Sequence, residues 1–70
     1  MAKIEEFAKN ISNQIAYMKK STAQIARDLG VTSGLVYDYT YAKTYPSIKM
    51  LMKLCVYFDC SYEDLLGKPE

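Results

Sequence analysis

A helix stop at Gly30 and a fresh helix cap at Thr32, with only Val31 between them, constrain this chain more than any other feature of its sequence. Upstream, Ser21 and Gln24 stand at capping-box spacing: the serine oxygen accepts a free backbone N–H and the glutamine side chain reaches back to the cap. A helix therefore starts at Thr22, with Ile25, Ala26 and Leu29 on its inner face, and ends at Gly30, where a left-handed residue is wanted. Thr32 caps the next helix, Ser33 to about Tyr41, whose inward positions are Val36 and Tyr39. Two helices joined by so short a turn cross steeply. The first then needs a small residue at the crossing, which is Ala26. The turn needs a residue tolerant of positive φ, Gly30, with Val31 as its plug, and the second helix needs an apolar anchor one turn in, Val36.

Helical spacing continues on both sides of this unit. A first helix from about Ile4 to Met18 lines up Phe7, Ile11, Ile15 and Met18 on one face. Lys19 and Lys20 close it, as suits the negative end of a helix dipole. Ala42 to Pro46 reads as a connector, because the proline biases Tyr45 away from helical geometry. Ser47 caps a fourth helix with an apolar stripe of Ile48, Leu51, Leu54, Cys55 and Phe58. Ser61 and Asp64 repeat the capping pattern for a short last helix, Tyr62 to Leu66, ended by Gly67. No segment sustains strand alternation. The expected fold is all-α: a compact five-helix bundle, one domain over residues 1–70, with its helix-turn-helix unit at about 22–41.

A chain of 70 residues, 50% of them hydrophobic, encloses one modest core and leaves no room for a separate catalytic module. It has no histidine, no glycine-rich phosphate loop and no acidic pair in an evident pocket, so no catalytic residue is assigned and an enzyme is not expected. The adjacent acids Glu5 with Glu6 and Glu63 with Asp64 sit near helix starts, where dipole and cap stabilisation account for them. Cys55 and Cys60, without histidine, cannot complete a four-ligand zinc site. Both read as small buried hydrophobes, and no metal, cofactor or small-molecule substrate is expected. Lys49 and Lys53 interrupt the longest apolar stretch well short of the ~20 residues that span a bilayer, and the N-terminus carries no secretory h-region. The expected location is the cytoplasm, with no membrane partner.

The formal net charge is only +1, but it is unevenly spread. Between Lys19 and Lys53, six basic residues (Lys19, Lys20, Arg27, Lys43, Lys49, Lys53) stand against two acids, Asp28 and Asp38. From Leu54 onward the balance reverses, with Asp59, Glu63, Asp64 and Glu70 against Lys68. A basic middle is the footprint expected of a nucleic-acid partner, although lysines that merely solvate helix faces give the same count.

From about Phe7 to Gly67 the chain resembles the Cro and phage-repressor (XRE-like) helix-turn-helix regulators. The residues that carry the likeness are Ser21-Thr-Ala-Gln-Ile-Ala-Arg-Asp-Leu-Gly-Val-Thr32, then Val36, Lys43, Pro46-Ser47 and the closing Ser61-Tyr-Glu-Asp-Leu-Leu-Gly67. The resemblance implies a sequence-specific DNA-binding transcriptional regulator of bacterial or phage type, a repressor, with a recognition helix at about 33–41 in the major groove. By position it puts Ser33, Gly34, Tyr37 and Asp38 against base edges and Leu35 against a thymine methyl. Phosphate contacts fall on Thr22, Tyr41 and Lys43. A domain this small has little stability to spare and one recognition helix reads only a few base pairs, so a nucleoid-associated homodimer on a double-stranded operator built as an inverted repeat is expected. Pairing through the last helix would use Tyr62, Leu65 or Leu66, unless the leucines complete the chain's own core.

The chain also departs from that family's pattern. Its third helix has no Arg, Lys or Gln, so direct readout falls to hydroxyls, to Asp38 accepting from a cytosine N4, and to apolar contact with thymine methyls. Ala42 stands where glycine is common, and Ala16 where a phosphate-binding arginine is common, which implies fewer backbone contacts. Tyr37, Tyr39, Tyr41 and Tyr45 form a cluster. Tyr39 reads as core, while Tyr37 and Tyr41 fit either a packing surface or an aromatic face beside the DNA. The uncharged third helix keeps a second reading open: a helix-turn-helix-fold protein–protein interaction module with weak or no DNA binding.

Overall fold

The computed structural model describes residues 3–67, so Lys68 and Glu70 of the charge pattern lie outside the described residues. Five helices follow in order: α1 Ile4–Met18, α2 Thr22–Leu29, α3 Ser33–Thr40, α4 Ile48–Phe58 and α5 Tyr62–Leu66. The fold is all-α, as the periodicity predicts, and α3 ends one residue short of the expected Tyr41, which serves as its C-cap.

Four of the helix starts are held by a hydroxyl. Ser21, Thr32, Ser47 and Ser61 accept backbone N–H groups of Gln24, Leu35, Met50 and Asp64 at 3.1, 3.2, 3.2 and 3.1 Å. At Ser61 the box is complete, since Asp64 Oδ2 also accepts the Ser61 N–H at 3.0 Å. At Ser21 the expected return bond does not form. The Gln24 amide donates instead to Asp28 Oδ1 at 2.8 Å. Asp28, one turn on along the same helix face, is a charged acceptor for the amide N–H, and that bond turns the Gln24 side chain along the helix and away from the Ser21 N–H.

The core is drawn from every helix. Phe7 and Ile11 of α1, Ile25 and Leu29 of α2, Tyr39 of α3, Leu54 and Phe58 of α4 and Leu65 of α5 form one buried cluster. Each large apolar side chain so enclosed contributes roughly 1.5–3 kcal/mol. Phe7 is its hub: its ring meets Tyr39 edge-on at 5.7 Å and stacks on Tyr45 at 5.3 Å, which ties α1 to α3 and to the connector after it. The Asn10 amide donates to the Leu65 carbonyl at 3.0 Å and anchors α5 across the bundle. Cys55 and Cys60 are free and half-buried, packed against the core rather than sealed in it. Burial pushes both thiols up, Cys60 to about 11, so they stay protonated near neutral pH.

Two expectations about burial change. Leu65 is fully enclosed and Leu66 is half-buried against the same cluster, so Leu65 completes the chain's own core and has no surface to offer a partner. Ile48 is 79% exposed and does not belong to the buried stripe of α4. The cause is the helical period: six residues before Leu54, at about 100° per residue, Ile48 lies about 120° round from it. Met50 and Leu51 take up the space against the core at that end.

Ala26 is buried on α2, which packs against α3. Gly30 turns the chain at φ +75°, and the Val31 N–H then donates back to the Ala26 carbonyl at 2.9 Å. The end of α3 repeats this device with an alanine. Ala42 lies at φ +60°, while the Lys43 N–H donates to the Asp38 carbonyl at 2.9 Å. An L-residue held there costs about 1–2 kcal/mol, which accounts physically for glycine being common at this position.

Two substitutions therefore act in opposite directions. Ala26→Leu overpacks the crossing and destabilises by roughly 1–3 kcal/mol, while Ala42→Gly relieves the left-handed strain and, net of its unfolded-state entropy, stabilises by about 1 kcal/mol. In thermal melts of a domain this size each kcal/mol moves Tm by about 4–8 °C. A melt unchanged by Ala26→Leu means that the two helices do not cross there, and a Tm lowered by Ala42→Gly means that the turn is not strained.

Candidate nucleic-acid interface

The outward face of α3 follows from what its inward face must do. Val36 and Tyr39 are buried, and Leu35 packs partly against the core. At about 100° per residue, the remaining positions Ser33, Tyr37, Tyr41, Gly34 and Asp38 fall on one arc on the opposite side. The structure therefore brings five of the sequence-derived residues together on one surface. Leu35 lies at its edge and leans inward.

Tyr37 and Tyr41 dominate that surface. They are 47% and 67% exposed, and their rings stack at 6.2 Å with planes 14° apart. The pair forms an aromatic wall along the helix, closed off from the core where Tyr39 sits. Beside it are the Asp38 carboxylate and the Ser33 hydroxyl, with Gly34 exposed and without a side chain to hold a partner off. Thr40 folds its hydroxyl back onto the Tyr37 carbonyl at 2.9 Å and adds nothing outward. The face thus offers hydroxyl donors and acceptors, one carboxylate and apolar ring area, and no cation.

One cation, Lys43, is held next to this face. Lys43 is exposed, and its backbone N–H is pinned to the Asp38 carbonyl, which fixes its stem just past the end of α3. Thr22 opens α2 and is half-buried, with its backbone N–H among those free at a helix start. Of the basic residues counted in the sequence, two are engaged internally. Lys53 Nζ donates to the Leu29 carbonyl at 3.0 Å, at the negative end of α2. Lys20 pairs with Asp28 at 3.3 Å. Lys19, Arg27, Lys43 and Lys49 make no ion pair among the described residues.

The Lys20–Asp28 pair belongs to a network that sequence reasoning missed. The Tyr57 hydroxyl donates to Asp28 Oδ2 at 2.6 Å, and Gln24 donates to the other oxygen. Bonds from Tyr57, then Gln24, then Lys20 hold the Asp28 carboxyl below the usual range. The result is that α2 is fastened to α4 on its outer side, and the pose of α3 is fixed through α2. The Gln24–Asp28 spacing was a visible signal. The partner Tyr57, contributed from α4, left none. A cysteine, aspartate and glutamate cluster able to hold a metal does not occur among the described residues, and no helix among them is long and apolar enough to cross a membrane.

Comparison with known proteins agrees with this geometry. A family model described as the Cro/C1-type HTH DNA-binding domain matches residues 10–69. No curated protein matches the sequence. The solution structure of the SOS-response transcriptional repressor LexA from Eubacterium rectale superposes with a TM-score of 0.87, covering 100% of this chain and 78% of that one at 23% identity. At that identity the likeness is one of fold.

Proposed function

Because the chain belongs to the Cro/C1-type helix-turn-helix DNA-binding domains, we propose that it regulates transcription as a repressor, laying the outward face of α3 in the major groove of an operator. The observation that carries this reading is a face on α3 freed of core duties with a fixed lysine just past its end. The fold shared with a transcriptional repressor supports repression by occupancy of the site. Sequence is read by Ser33, Tyr37 and Asp38 from hydroxyl, ring edge and carboxylate, with Leu35 and the close backbone of Gly34 against thymine methyls. Thr22, Tyr41 and Lys43 position the domain on phosphates. An eight-residue helix reads only a few base pairs, so the operator is an inverted repeat bound by two copies, with half-site centres about 34 Å or a multiple of it apart. The setting is the nucleoid, in the cytoplasm.

The division between reading and positioning is measurable in a salt-titrated binding series on selected and random DNA. Lys43→Ala weakens both DNAs alike and lowers the salt slope by about one. Tyr37→Ala and Asp38→Ala each cost about 1–3 kcal/mol on the selected site, with little loss on random DNA and a relaxed preference at one base pair. Equal losses on both DNAs for all three variants contradict α3 as the reader. Absence of binding by the unaltered protein at low salt favours the protein–protein interaction reading of this fold.

A further inference from the structure

α4 ends in a Schellman turn. Asp59 takes the left-handed conformation at φ +52°, while the Cys60 N–H donates to the Cys55 carbonyl at 3.0 Å and the Asp59 N–H to the Val56 carbonyl at 3.3 Å. Such a turn folds the chain back onto the helix, so the side chains at its two ends meet, ordinarily as an apolar contact. At the end of α2 the corresponding places hold Ala26 and Val31, joined by the same backbone bond at 2.9 Å. At the end of α4 they hold the only two cysteines of the chain. The fold asks for no more than a small apolar pair there, and two thiols exceed that need.

Both thiols are free and half-buried, and they lie close enough for each to perturb the other. They also line one groove between the end of α4 and the start of α5, together with Met52, Asp59 and Tyr62 among others. Met52 stands one turn before Cys55, about 60° round the helix from it, and is 51% exposed. Three sulfurs therefore border one opening. We propose that Cys55, Cys60 and Met52 form a binding site for Cu(I). The donor set selects the ion, because thiolate and thioether sulfur are soft ligands that favour Cu(I), and two or three of them satisfy it. Zn(II) needs four ligands, and no group of three His, Cys, Asp or Glu residues comes together among the described residues to begin such a set. Hard cations need a cage of oxygens, which this groove does not offer. On binding, one Cu(I) replaces two thiol protons, which pass to solvent, and leaves a bis-thiolate complex of charge −1. Met52 adds a neutral third donor, and copper keeps its oxidation state. α3 contributes no residue to the groove, so a loaded site leaves the outward face of α3 free and the inference stands apart from the reading of DNA.

Cu(I) itself, kept reduced without oxygen and shared with a bicinchoninate competitor, tests the site on the full chain without DNA. The unaltered protein should take one Cu(I) per chain. Cys55→Ser and Cys60→Ser should each weaken it about a hundredfold or more, because the second thiolate binds within the molecule, and Met52→Leu about tenfold with both thiols intact. Thermal melts establish that each variant is folded. X-ray absorption of the copper-loaded unaltered chain, which depends on no variant, should show a first shell of sulfur alone. Failure to hold Cu(I) against the competitor, one ion for every two chains, an affinity unmoved by any one of the three substitutions, or oxygen or nitrogen in the first shell overturns the proposal.

Discussion

The tight turn at Gly30, closed by the Val31 N–H on the Ala26 carbonyl, is the constraint on which the rest of the structure depends. It fixes the angle at which α3 leaves α2, and that angle decides which side of α3 meets the core. Ala26 permits the close crossing, and Val36 and Tyr39 use it to reach the cluster around Phe7. Once those are buried, Ser33, Tyr37, Asp38 and Tyr41 have nowhere to point but outward. The candidate interface is in this sense a by-product of packing: the residues that face away from the core are presented rigidly because their neighbours on the same two turns of helix are held.

The supports of this unit lie outside it. Tyr57 of α4 and Lys20 after α1 both close on Asp28, while Lys53 holds the Leu29 carbonyl at the end of α2. The two contacts on Asp28 are solvent-exposed and individually worth little. Their effect is on geometry, since they hold α2 from the side that the core does not touch. With the Lys53 bond they also spend two of the lysines that make the middle of the chain look basic. The electrostatic attraction for a polyanion therefore rests on fewer groups than the count suggests, Lys43 and Arg27 among them.

Much of this was legible in the sequence. Helix boundaries, hydroxyl caps and inward positions follow from local rules in which a residue and its neighbours three or four places away decide the outcome, and α1, α2, α4 and α5 are found where those rules put them. What was not legible depends on contacts between distant elements. Gln24 had the spacing for a capping box, but Asp28 offered its amide a charged acceptor. Ile48 sat in an apolar run, but the exact rotation of α4 carried it outward. Leu65 was ambiguous between core and interface until α1 was seen closing over it. On α3 the periodicity named the outward residues, but not that Tyr37 and Tyr41 stack on each other as one wall.

The central claim is that the outward face of α3, with Lys43 just past its end, is the surface that meets DNA. Backbone amide shifts of the labelled protein, followed by NMR during titration with a duplex selected from a random pool, test it most directly. The account predicts the largest changes along residues 33–43 and at Thr22, with the buried amides of α1 little altered. Changes concentrated along α4 with α3 silent, or no saturable change at low salt, contradict it.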